Sequence, residues 1–395
     1  MPKDESQKKI LRDQMRSYTR DLYYNSVDTM WKSLAIVGIL SFLYMFFVQC
    51  CPRIMNRVTV VIGAIALVAF TITVVIYPSQ ISPMFRWVVF AITLIFVLIL
   101  VCTLVKYFQT WGLNGVFLDF ATKFAGDRVY PFILPIVFLI LGVAFYYFQI
   151  LQYRSFWSFG ELKFDPELDL YHKIANPTNN ILLSIFQIIQ LIWGTMFLKE
   201  AFNYIISAEA VEWYYRRPSA CTNATFTLVC KHLGSVIACA FMNAFFGIAD
   251  FIFDALIPPM DDSNNCYYCF NRFAGFFDLA RSDSLTVVYL SGNAYCNSAR
   301  YAEYITNKSS QTAYSQSASR IYRYCAHFAL AGLVSLAAFW SFGLSAEVAI
   351  PAMLILLFIS MGVATFFISL HADAGEAILL LYLMELEFLQ TRKTA

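Results

Sequence analysis

The sequence predicts an all-α, polytopic transmembrane helical bundle of eight or nine spans. Of its 395 residues 59% are hydrophobic and only 14% charged, and Phe (38) and Tyr (24) are in excess. Apolar runs of about 18 residues or more, enough to cross a ~30 Å hydrocarbon core, recur along the chain. The net charge of +2 comes with no basic stripe interleaved with aromatics, so no nucleic-acid partner is expected.

Residues 1–30 read as a polar tail, and "SQKKILRDQMRSYTRDLYY" has the pattern of a short amphipathic helix. The apolar core of a signal peptide is missing from it, and Asp4, Glu5, Asp13 and Asp21 argue against a mitochondrial presequence. The plasma membrane is therefore the expected residence, with the mitochondrial inner membrane as the alternative. The membrane domain runs over 31–390. Seven spans fall near 31–50, 58–77, 85–107, 131–152, 181–206, 235–257 and 321–342. An eighth starts near Ala346, runs through Pro351 to Leu370 and continues as "EAILLLYLMELEFLQ". One straight helix over that distance is about twice the hydrocarbon thickness, so it must kink, with Gly375 as the expected break, or project into the cytosol.

Charge bias orients these spans. The connections with Arg53 and Arg57, with Lys106, Lys123 and Arg128, and with Arg216, Arg217 and Lys231 share one side. The opposite side carries Arg86, Arg154, Lys163 and Lys173, diluted by Glu161, Asp165, Glu167 and Asp169. The first side is assigned to the cytosol. Arg300, Lys308, Arg320 and Arg323 also favour the cytosol, which requires a ninth span through 285–305. Nine spans put the C-terminus inside and the N-terminus outside, against the basic character of the tail. The loop 258–284 then faces outward, with Cys266 and Cys269 in a C-x-x-C spacing. Zinc needs four ligands and no second pair follows, so no metal is expected; a local disulfide and two free thiols both remain open.

Three ordered elements resemble the choline transporter-like family: Trp213 with Arg217-Pro218 ending one helix, His232 with Gly234-Ser235 opening the next, and Tyr295-Cys296-Asn297-Ser298-Ala299-Arg300 after the following loop. Glu376, the apolar run after it, then Glu385 and Glu387 are similar to the family's C-terminal helix. The resemblance covers about residues 30 to 390. It implies transport of choline or a related organic cation by facilitated diffusion or exchange, with no cofactor and no enzymatic activity. The lipid bilayer and a choline-like small cation are the implied partners, with other membrane subunits as an alternative. There are departures. The family's first span and large extracellular loop have no counterpart here, Asp250 stands where the family tends to have a basic residue, and Ala280 to Leu285 replace an Asn-Arg-Asn-Ala-Tyr stretch. A non-transporting, transporter-derived subunit of a larger membrane complex is the competing expectation.

A quaternary ammonium ion is held by aromatic faces, with carboxylates adding attraction. On the 235–257 helix, Asn243, Gly247, Asp250 and Asp254 lie within about 40° of one direction, with Cys239 close by. A lipid-facing Asp at mid-membrane costs about 2.5–3.5 kcal/mol, so this stripe must face protein or water. Asp250 is about 27 Å along the axis from His232, which makes Asp250 and Asp254 outer-vestibule residues or carboxylates facing outer-leaflet water. On the 181–206 helix, Ser184, Gln187, Gln190 and Gly194 share one side with Trp193 beside them. Trp193, Glu200 and Tyr204, supported by Gln187, Gln190 and Asn243, form the expected cation site. The competing reading makes these polar groups helix-to-helix glue. Lys199 and Glu200 are adjacent and point about 100° apart, so their ion pair is not automatic. His232 is expected at a helix start, as a capping or interface residue. The chain carries no P-loop, HExxH or GxSxG motif, and the sequons at Asn223 and Asn307 fall on the cytosolic side.

Overall fold

The computed structural model describes residues 31–76, single positions between 87 and 98, 111–158, 161–165, 170–174, 177–218, 221–256, 283–307, 310–341 and 346–394. Most of the expected span 85–107, and Cys266 and Cys269, lie outside the described residues. Asp250 and Asp254 are on described helical backbone, but their side chains are outside the description.

The described chain is helical apart from one small antiparallel hairpin. Helix α1 (Trp31–Cys50) turns at Cys51 into α2 (Pro52–Ile76), followed by α3 (Trp111–Asp127) and α4 (Tyr130–Ser158). The hairpin pairs β1 (Glu161–Asp165) with β2 (Leu170–Ile174), Glu161 opposite Ile174. Helix α5 covers Pro177–Tyr214. Helix α6 is made of Cys221–Thr227, a π turn at Leu228–His232, and Leu233–Leu256. Two short helices follow, α7 (Ser284–Ser291) and α8 (Tyr295–Asn307). Helix α9 again carries a π turn, Phe328–Gly332, between Ser310–His327 and Leu333–Ser341, and α10 covers Ala346–Thr394. Among the described residues, six helices are long and apolar enough to cross a membrane.

Helix α5 is the axis of the bundle. Its twelve residues from Glu200 to Val211 are all buried, packed against α10, α6, α4 and α7. Ala201, Ser207, Ala208 and Ala210 keep this stretch narrow, which lets neighbouring backbones approach closely. The outer half of the same helix exposes Leu182, Ile185, Phe186 and Ile188. Helix α4 likewise exposes Ile133, Ile136, Ile140 and Leu141, as an apolar lipid-facing surface requires. Where α4, α5 and α10 meet, Phe138, Phe202 and Phe366 close a triangle of rings with centroids 5.4 to 5.8 Å apart.

Three expectations are corrected here. Residues 285–305 do not form one continuous span: Gly292 (φ +69°) ends α7 in the left-handed region, its N–H donating to the Val288 carbonyl. At 1.5 Å per residue α7 and α8 are about 12 and 20 Å long, each short of a ~30 Å core. Gly375 is no break, because α10 is one 49-residue helix. A Cβ at Gly375 would stand 3.4 Å from the Phe117 carbonyl oxygen, so the glycine serves close packing of α10 on α3. Helix α10 projects instead, and its residues from Glu385 to Arg392 are largely exposed. Finally, His232 does not start a helix: α6 begins at Cys221, and His232 closes the π turn with αR backbone on both flanks.

Of the basic connections assigned to one side, those of Arg53, Arg128 and Arg217 are tied to neighbouring elements, while Lys106 lies outside the described residues. Arg53 reaches Asp119 (Nε–Oδ2 2.6 Å), Arg128 donates to the Arg217 carbonyl, and Tyr214 donates to Glu385 (2.5 Å). The Trp213 to Pro218 motif is the stop signal of α5. Arg216 sits at φ 56°, its N–H bonds the Trp213 carbonyl and the Arg217 N–H bonds the Glu212 carbonyl, the two bonds of a Schellman cap. Trp213 is pinned to Asp127 through its indole N–H (2.8 Å) and rests on Phe124. A non-glycine residue at the left-handed position costs about 1 kcal/mol. Arg216→Gly is therefore expected to raise thermal stability by roughly that amount in a detergent melting experiment.

Candidate functional site

Glu200 is fully buried on α5, facing α6. Its Oε1 accepts from Asn243 Nδ2 at 2.9 Å and pairs with Lys199 Nζ at 2.8 Å. Its Oε2 accepts from Asn203 Nδ2 at 3.3 Å and from the Cys239 thiol at 3.5 Å. Asn203 in turn accepts from Ser207, and Cys239 is hydrogen-bonded with Tyr295 of α8. Both carboxylate oxygens thereby have donors, which is what a buried acid requires. The Lys199–Glu200 pair forms despite the adjacent positions, because a four-carbon stem reaches around the helix.

A second ionic group lies one helix further on. Arg323 of α9 pairs with Asp373 of α10 (Nη1–Oδ1 2.5 Å) and, through its other terminal nitrogen, with Glu376. Next to it, His327 bridges the Arg323 carbonyl (2.7 Å) and Thr365 (2.9 Å). Lys199 feels the charges of both Asp373 and Arg323, so the two groups form one electrostatic unit across α5, α9 and α10. The unit holds two cations, Lys199 and Arg323, against three carboxylates, Glu200, Asp373 and Glu376. Within these ion pairs the acids outnumber the bases by one. Asn243 is about 17 Å along α6 from His232, roughly half the thickness of a hydrocarbon core.

Of the expected cation site, the structure joins Glu200 to Asn243. Gln187 instead turns to α4, where its amide donates to both the backbone carbonyl and the side chain of Gln149. That is the helix-to-helix role weighed against ligand binding. Tyr204 is one turn from Glu200 but bonds Thr227 (3.3 Å) and packs its ring on His232 and Tyr289. Trp193 is 39% exposed and meets Phe241 edge-on, about 10 Å from Glu200 toward the N-terminus of α5. Gln190 is half-buried on the same helix. Gly194 makes room for Phe145: a Cβ there would stand 2.7 Å from the ring's Cε2.

Among the motif residues, Ala299 belongs to the core and Ser298 is buried on α8, while Cys296 and Arg300 are exposed. Arg217 approaches Glu212 at 4.0 Å and Pro218 is exposed beside it. Gly234 has nothing within 4 Å of a would-be Cβ, and Ser235 is half-buried on α6. Sequence reading missed Asn203, Asp373 and the burial of Arg323, which had been counted as a cytosolic charge. The signal was available: Asp373 and Glu376 are acids three apart inside an apolar run, the kind of intramembrane charge that marks function and demands a partner.

A lipid-facing helical bundle that encloses a hydrogen-bonded ionic cluster defines an integral membrane transporter. The profile of the plasma-membrane choline transporter family matches residues 34–387, and the chain belongs to that family as an integral protein of the plasma membrane. No curated protein matches the chain.

Proposed function

We propose that the protein moves choline or a related organic cation across the membrane by facilitated diffusion or exchange, with Glu200 as the acid that attracts it. The observation that carries this is the fully buried Glu200 carboxylate, oriented by Asn243, Asn203 and Cys239 between α5 and α6. A quaternary ammonium ion donates no hydrogen bond, so a fixed carboxylate supplies attraction and aromatic rings supply contact. Trp193 and Phe241 flank the approach from the outer side, and Tyr295 stands beside Cys239.

Glu200→Gln keeps the size of the side chain and removes its charge. Tracer choline uptake in cells lacking their own choline transport should fall at least about tenfold with this variant, at unchanged surface expression. Uptake by Asn243→Ala should fall by less, because three other donors, Lys199, Asn203 and Cys239, remain on the carboxylate. Wild-type uptake that both variants retain in full would remove Glu200 from the path. A wild type that moves no choline and copurifies in fixed stoichiometry with other membrane proteins would favour the subunit role instead.

A further inference from the structure

The ionic unit is asymmetric in a way that the Glu200 site alone does not explain. Asp373 is 2% exposed, and while its Oδ1 is taken by Arg323, its Oδ2 has no hydrogen-bond partner among the described residues. A buried carboxylate oxygen without a donor costs on the order of 1–3 kcal/mol, so an empty seat of this kind calls for an occupant. A cation on a flexible four-carbon stem stands on the neighbouring helix, Lys199 of α5. Its ammonium rests on Glu200, it lies within electrostatic range of Asp373, and it is the more exposed partner of its pair, at 18% against 0%. Arg323 is held by two acids in a fork and is not free to travel.

We propose that Lys199 is a tethered stand-in for the transported cation: it occupies Glu200 while the site is empty and moves to the vacant oxygen of Asp373 when an organic cation binds. The exchange conserves charge at each step. With the site empty, the three carboxylates of these ion pairs outnumber Lys199 and Arg323 by one. One bound monovalent organic cation on Glu200 evens that count, with Lys199 now shared between Asp373 and the Arg323 fork. A neutral analogue of the same shape offers no such gain, so discrimination follows from charge as well as from the aromatic contacts. The lysine also explains why an acid this deep tolerates an empty state, since a buried carboxylate without a counter-charge is strongly penalised. Because Lys199 must leave before the cation docks, apparent affinity is reduced by the fraction of time it spends on Glu200.

The inference rests on the choline-transport reading, and the test separates the two. The full-length protein in lipid nanodiscs is titrated with choline and with tetramethylammonium, following binding by calorimetry and by the shift in melting temperature. Removing the stand-in with Lys199→Gln should tighten choline binding roughly tenfold and enlarge the thermal shift that choline produces. Asp373→Asn removes the second seat and should weaken binding about tenfold. The double variant Lys199→Gln/Asp373→Asn should bind as well as Lys199→Gln alone, a non-additivity that a merely structural role for Asp373 does not produce. Wild-type protein that binds neither ligand overturns the transport reading and this inference with it. Wild-type protein that binds choline, with Lys199→Gln binding equally or more weakly, overturns the inference alone. Should Asp373→Asn fail to fold, the Lys199→Gln comparison decides by itself.

Discussion

Replacing Arg323 with methionine is expected to remove about 3–5 kcal/mol of stability, the usual result of stripping one partner from a buried ion pair. Arg323 pairs directly with both Asp373 and Glu376, and its side chain is 12% exposed. Methionine fills much of the volume but leaves two carboxylates facing each other in a low dielectric. The damage should spread, because Arg323 also offers its carbonyl to His327, which ties α9 to Thr365 of α10. Fluorescence-detected size-exclusion chromatography of the detergent-solubilised protein, with a thermal challenge, is the suitable measurement. Adding Asp373→Asn and Glu376→Gln to Arg323→Met should restore most of the lost stability, since the buried carboxylates go with the guanidinium. An Arg323→Met protein that melts like wild type would show that water or lipid headgroups solvate the acids, and the enclosed unit would be abandoned. Arg323→Lys should fall between, because one ammonium cannot form the two-pronged contact with both acids.

The bundle was legible in the sequence because the bilayer constrains sequence so directly. Six helices found in the structure correspond to apolar runs, and the common location of Arg128 and Arg217 follows from charge bias alone. Periodicity does not report where a helix is buried by protein rather than by lipid. The stretch from Glu200 to Val211 contains Glu, Asn, Ser and a second Glu, yet it is the longest unbroken buried run among the described residues. Its burial depends on α4, α6, α10 and the short helix α7, whose role hydropathy misread. Residues 284–307 show the limit clearly. Their composition is weak for a span because they are two helices sheltering α5 and α10, separated at residues 292–294 where Gly292 takes a positive φ. The candidate site was half legible for a related reason. Asn243 shares its stripe with Gly247 and Asp250, and Glu200 is an acid deep in an apolar helix, so each could be named from one helix alone. Pairing Lys199 and Glu200 with Arg323 and Asp373 requires knowing that α5, α9 and α10 are neighbours, and no spacing within one helix reveals that. Charge bias even pointed the wrong way for Arg323, since it counts a buried arginine and a cytosolic one alike.

Gly63→Ala should be among the most damaging small substitutions in the protein, at about 1–3 kcal/mol for a single added methyl group. A Cβ at Gly63 would sit 2.6 Å from both the Cα and the carbonyl carbon of Cys325, and closer still to its oxygen. These are backbone atoms of α9, so no rotamer change relieves the clash; α2 and α9 must separate. That separation pulls on the hydroxyl relay in which Tyr44 of α1 bonds Thr59 (3.0 Å) and Tyr322 (2.6 Å). It also opens the packing of Phe70 against Leu336 and Phe339. Gly234→Ala is the matched control, as the same methyl group there meets nothing within 4 Å and should leave the melting temperature unchanged or raise it, by up to about 1 kcal/mol, through helix propensity. Melting both variants in the same detergent distinguishes crowding from any general intolerance of alanine, and equal losses would defeat the close-contact explanation. The control has a second use. Gly234 belongs to the His-x-Gly-Ser motif and follows directly on the π turn at Leu228–His232, so static packing gives no reason for a glycine there. If Gly234→Ala melts like wild type but transports choline more slowly, the glycine serves bending of α6 during transport, with the π turn as the hinge.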